Sequence, residues 1–121
     1  MRVEVASVAV ELRKMLELVV EKQASELELT PGTPPSVRLR GRFRPLNLPP
    51  LDPVDTLRYF HQIAPDGSRR EFESGGATEF GFSAKERHFL ATVSSEGNHC
   101  RIKLRLIPKR TWSEDDGLVP G

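Results

Sequence analysis

One cysteine in 121 residues excludes an internal disulfide and fits a reducing compartment. Cys100 reads as a small packed thiol rather than a nucleophile. A charge of one sign is also lacking: 18 Lys and Arg stand against 17 Asp and Glu, for a net charge of +1. Nothing global points to nucleic acid or a membrane surface, so any electrostatic role must come from local clustering. No apolar run nears the roughly 20 residues needed to cross a bilayer. The first residues lack the basic start, apolar stretch and small-residue cleavage site of a signal peptide. These absences predict a soluble cytoplasmic protein with no direct membrane insertion.

Catalytic patterns are missing as well. A phosphate-cradling loop needs closely spaced glycines, then Lys and Ser/Thr at a helix start, and no G-x-x-x-x-G-K-[ST] occurs. The chain by itself is therefore not expected to be an ATPase. His61, His88 and His99 lie far apart, and His99 and Cys100 are adjacent, so in a strand they point to opposite faces. No metal site is expected. No G-x-S-x-G elbow supports a serine nucleophile.

What is present is regular. Val5, Val8, Leu12, Met15, Leu16 and Val19 recur at the helix period and predict an amphipathic helix over 3–24. Ser25 to Thr30 alternates as a half-buried strand, and Pro31-Gly32 then turns the chain. Val37, Leu39 and Phe43 form the apolar register of the next stretch, which Gly41 divides into two short strands joined near Arg40-Gly41. Asp52-Pro53 starts a second helix, with Leu57, Phe60 and Ile63 inward, to about Ala64. Pro65-Asp66-Gly67 breaks it, and a short helix follows over 68–74, ended by Gly75-Gly76. Strands are predicted over 78–83, 89–95 and 99–108, with a hairpin turn at Glu96-Gly97-Asn98. The sum is an α+β domain over 1–108: one antiparallel sheet of about five to six short strands, with three helices on one face. Residues 109–121, acidic at Glu114-Asp115-Asp116, read as a polar linker.

The distinctive chemistry is cationic. Arg38, Arg40, Arg42 and Arg44, with Arg101, Lys103 and Arg105, interleave apolar residues in two strand regions. Either these side chains form a solvated face balanced by Glu26 and Glu28, or they bind an anion or a partner, since arginine's planar fork suits phosphate and carboxylate. Arg38, Arg42, Arg44 and Lys103 are the candidates for such a face. A turn at Arg40-Gly41 can separate Arg38 from Arg42. Single-stranded nucleic acid would need aromatics among the basic residues, and only Phe43 is available. No nucleic-acid partner is expected.

Several segments together resemble those of one known protein family. Gln23-Ala24-Ser25-Glu26-Leu27-Glu28-Leu29 is similar to that family's GASDLHL box. Pro31-Gly32-Thr33-Pro34-Pro35 with Val37 to Gly41 resembles GSPPMIRVDG, and Leu46-Asn47-Leu48-Pro49-Pro50-Leu51 resembles NLPPL. Glu71-Phe72-Glu73, Glu79-Phe80-Gly81-Phe82 and Leu104-Arg105-Leu106-Ile107-Pro108 follow in the family's order, and Gly117-Leu118 falls at its link into the ATPase domain.

Taken in this order, the segments resemble the amino-terminal domain of PilT-type pilus-retraction ATPases, within the type II/IV secretion ATPase family, and the resemblance implies a PAS-like fold and a non-catalytic assembly role. In that family this domain packs on the ATPase domain of the same or a neighbouring subunit of a homo-hexamer. ATP and magnesium belong to the ATPase domain, not to this chain. The machine would act in twitching motility or secretion, peripheral at the inner membrane. Two arginines of the family's domain reach the neighbour's nucleotide. One matches Arg105, with Arg101 nearby; the other falls on Leu90, where this chain has no arginine. The histidine of the DLHL box is also absent, replaced by Glu28. The alternative is a stand-alone PAS-like sensor of a small anionic or phosphorylated ligand.

Overall fold

The computed structural model describes residues 2–97 and 99–108, with residues 2–11 described by their backbone alone. Helix α1 (Arg2–Lys22) comes first. Leu12, Met15, Leu16 and Val19 are buried along one stripe, while Arg13 and Lys14 are exposed on the other side. The helix stops at Gln23, whose φ of 59° is left-handed. The Gln23 N–H donates to Val20 O and the Ala24 N–H to Val19 O, a Schellman-type closure of the last carbonyls.

Three short strands follow: β1 (Glu26–Leu29), β2 (Ser36–Leu39) and β3 (Arg42–Pro45). Arg40 and Gly41, at φ 51° and 81°, form the two-residue turn between β2 and β3. The two proline-rich turns flanking these strands are tied together. Gly32 N–H donates to Leu51 O at 2.8 Å, and Leu51 N–H donates to Thr33 O at 2.9 Å. Leu51 is buried beneath that tie.

Helix α2 (Pro53–Ile63) begins as its sequence predicts, with Pro53 in the first turn and Asp55 Oδ2 accepting the Asp52 N–H at 2.9 Å. Its inward stripe is Thr56, Tyr59 and Phe60, with Ile63 half-buried, and Leu57 is exposed. The spacing explains the difference from the expected face: positions 56, 59, 60 and 63 fall on one side of a 3.6-residue helix, and 57 lies a hundred degrees away. Helix α3 (Asp66–Gly75) starts two residues earlier than expected. Pro65 caps it, its carbonyl accepting the Arg69 N–H, and Asp66 pairs with the Arg69 side chain within the first turn. Gly76, at φ 79°, closes it through its N–H to Phe72 O.

The last three strands are β4 (Ala77–Ala84), β5 (Arg87–Glu96) and β6 (His99–Leu106). All six strands form one antiparallel sheet in the order β3-β2-β1-β6-β5-β4. The α+β prediction, with one antiparallel sheet and three helices, is therefore correct. β6 ends at Leu106 rather than at Pro108. The predicted linker 109–121, with its acidic stretch and Gly117-Leu118, lies outside the described residues.

One face of the sheet is apolar. Val37, Leu27, Leu104, Ala91 and Phe80 stand directly opposite one another across five strands, and Leu29, Ile102 and Val93 form a second row. The helices cover this face. Phe60 of α2 meets the rings of Phe72 and Phe80 with centroids at 5.0 and 6.4 Å. A fully buried side chain such as Phe60 stabilises the fold by about 1.5–3 kcal/mol. Among the described residues no helix is long and apolar enough to cross a membrane.

Candidate functional site

None of the described helices covers the opposite sheet face, and the strand register fixes what it carries. Residues directly opposite in an antiparallel ladder share a face. From β3 to β4 one row reads Phe43, Arg38, Glu26, Arg105, Leu90 and Gly81. The next reads Pro45, Ser36, Glu28, Lys103, Thr92 and Glu79. Arg101, opposite Ser94, lies one row further.

Glu26 is the hub of this face. Its side chain is only 9% exposed although none of the described helices covers it. Arg38 Nη1 lies 3.5 Å from its Oε1, and Lys103 Nζ 3.8 Å from its Oε2. Arg38 also lies over the Phe43 ring, 5.4 Å from the centroid, a cation–π contact. Arg101 pairs with Glu96 at 3.3 Å, and Thr92 Oγ1 donates to Glu79 Oε2 at 3.3 Å. Arg105 differs. It stands directly opposite Glu26 and Leu90, is exposed, and has no ion pair or hydrogen bond through its side chain among the described residues. A guanidinium with all its donors available can bind an incoming anion bidentately.

The same register divides the predicted anion face. Arg38 and Lys103 are on the open face, whereas Arg44 opposes Val37 and Arg42 opposes Leu39, on the helix side. Phe43, expected in the apolar register with Val37 and Leu39, lies on the open face for the same reason. A two-residue turn pairs 39 with 42 and 38 with 43, so odd positions before it match even positions after it. Arg42 and Arg44 instead line a cleft with Arg40 and with Lys22 at the end of α1. The sequence candidates omit Lys22, which only the fold brings to this hairpin.

The remaining candidates are scattered. His61 is exposed on α2 with its ring edge-on to Phe60, His88 Nδ1 lies 3.0 Å from Ser83 Oγ, and His99 Nδ1 lies 2.8 Å from Glu96 O. Among the described residues no three of His, Cys, Asp and Glu gather to hold a metal ion. Cys100 is buried, and burial pushes its thiol above the usual range despite a hydrogen bond with Thr56. Such a thiol is a poor nucleophile.

Comparison with known proteins agrees with the fold. No family model matches the chain. It is 36% identical over 75 residues to the type IV pilus ATPase PilU of Pseudomonas aeruginosa, covering 62% of this chain and 20% of PilU. It is 33% identical over 107 residues to the pilus retraction ATPase PilT of the same organism, covering 88% of this chain and 31% of PilT. The chain thus spans a third or less of the curated relatives it matches. The crystal structure of a pilus retraction motor PilT with bound ADP superposes with a TM-score of 0.73 at 28% identity, over 80% of this chain and 29% of that one. In sequence and in fold, the chain corresponds to the amino-terminal domain of the PilT-type pilus and type II/IV secretion ATPases.

Proposed function

We propose that the chain is a non-catalytic assembly and regulatory module of a PilT-type motor, used in pilus retraction or secretion. Its open sheet face docks on an ATPase domain of the same or a neighbouring subunit in a homo-hexamer. The observation that carries this reading is the exposed Arg105, unpaired among the described residues, on a sheet face that none of the described helices covers. The pairing of Arg38 and Lys103 with Glu26 supports it, because a mixed-charge face suits a protein partner better than a polyanion.

Within that arrangement Arg105, with Arg101 four residues away on the same face, approaches the neighbour's nucleotide. ATP and magnesium are held by the partner domain, and this chain supplies only a guanidinium to phosphate oxygens. Leu90, directly opposite Arg105, gives no second donor there. The working place of such a module is cytoplasmic, peripheral to the inner membrane through the pilus or secretion machine.

Analytical ultracentrifugation of the chain mixed with a PilT-type ATPase domain tests the reading. Faster-sedimenting complexes are expected with ATP present, and Arg105→Ala is expected to weaken them at least fivefold. No association in either condition overturns the proposal.

A further inference from the structure

On the side of the sheet away from the open face, a cleft of about 550 Å³ separates the last turn of α1 from the β2–β3 hairpin. Lys22, Gln23, Leu39, Arg40, Arg42 and Arg44 line it. Four of these six are cations and none is acidic. Among the described residues none of the four side chains has an ion pair or hydrogen bond. On the open face, by contrast, Arg38, Arg101 and Lys103 each lie beside a carboxylate.

Gathering like charges around one concavity raises their mutual repulsion, and nothing in the turn itself calls for it. Arg40 occupies the first position of a two-residue turn at φ 51°, where Asn is the favoured residue. The negative end of the α1 dipole partly satisfies Lys22, and the three arginines have no such compensation.

We propose that this cleft binds a phosphate-bearing anion, with the guanidinium groups of Arg40, Arg42 and Arg44 as the forked donors and Lys22 as a point charge. Its volume falls within the range of small-molecule sites. The phosphate can come from a free solute or from a lipid headgroup presented to this end of the domain. The site is independent of the assembly reading, since it lies on the other side of the sheet from Arg105.

Amide NMR titration of the 121-residue chain with pyrophosphate tests for a free phosphate. Co-sedimentation with phosphatidylglycerol vesicles, against phosphatidylcholine vesicles, tests for a headgroup. At least one arm is expected to respond, with NMR shifts centred on Gln23 and Arg40 to Arg44. Replacing Arg42→Gln and Arg44→Gln together should weaken that binding at least tenfold, while Arg38→Gln on the open face changes it less than twofold. Both substituted side chains are exposed, and a thermal melt checks that the double variant folds; should it not, Arg44→Gln alone carries the comparison. No response in either arm overturns the proposal, as does equal loss with Arg38→Gln. A response only to an acidic peptide also overturns it, and would make the cleft a protein-docking site. Loss of phosphate binding leaves the ultracentrifugation result untouched, so the two readings fail separately.

Discussion

Glu26 carries an unusual burden for a residue on an uncovered sheet face, because its carboxylate is nearly buried yet flanked by Arg38 and Lys103 at 3.5 and 3.8 Å. A carboxylate withdrawn from water needs partners, and losing the charge leaves two cations crowded beside a neutral group. Glu26→Gln is therefore expected to lower stability by about 1 kcal/mol, within the range for partly exposed ion pairs and charged hydrogen bonds. Glu28, on the same strand and face but without an ion pair among the described residues, provides the control. Its Glu28→Gln substitution should stay within about 0.5 kcal/mol. Urea unfolding checks both, and equal midpoints would remove Glu26 from its central role. The pairing of Glu26 with cations of the neighbouring strands follows from strand alternation. Its burial does not, because that depends on which cations the register sets beside it.

Elements meet at two junctions whose chemistry is testable. At the first, Glu17 of α1 pairs with Lys85 in the β4–β5 turn at 2.7 Å. The Lys85 hydrogen bond, then its charge, holds the Glu17 carboxyl below its usual 4.5. A lowered carboxyl contributes to stability above its unfolded value and loses that contribution as pH falls through the folded one. The α1 tie is thus present above pH 4.5 and is released in more acidic solution. An NMR titration of the Glu17 carboxyl carbon should show the lowered midpoint, and Lys85→Met should return it toward 4.5. An unchanged midpoint in that variant would mean the pair does not form. At the second junction, Arg40→Asn places the favoured residue in the turn and is expected to add about 0.5 kcal/mol, raising the melting temperature by a few degrees. The same variant should weaken phosphate binding, so stability and binding move in opposite directions at one position. These junctions also mark where the sequence was legible. The turn at Arg40-Gly41 and the start at Asp52-Pro53 were readable because Gly and Pro constrain the backbone locally. The inward face of α2 and the side taken by Phe43 were not, since a one-residue phase error reverses a strand's faces and turns a helix by a hundred degrees.

Across the whole molecule, the strand order joins two halves that are separate in sequence. β1, β2 and β3 form one ribbon, β4, β5 and β6 the other, and within the sheet the β1–β6 ladder connects them. The family resemblance could be read from short motifs spread along both halves, but this ladder could not, because no local pattern states which strand returns to β1. Leu104 sits at the seam, fully buried between Leu27 and Ala91. Replacing it with Ala should cost about 2–5 kcal/mol, a large share of a small domain's stability. Since the seam is shared, the loss should fall on both ribbons together. Hydrogen exchange separates this from local loosening. In the unsubstituted chain, amides of β1, β5 and β6 are expected to exchange slowest, and those of the exposed edge strand β3 fastest. In Leu104→Ala, the slow amides of β1 and β5 should accelerate by one common factor, because they exchange through the same global opening. Acceleration of β5 alone, with β1 unchanged, would mean that the two ribbons unfold independently and that the seam does not make them one cooperative unit.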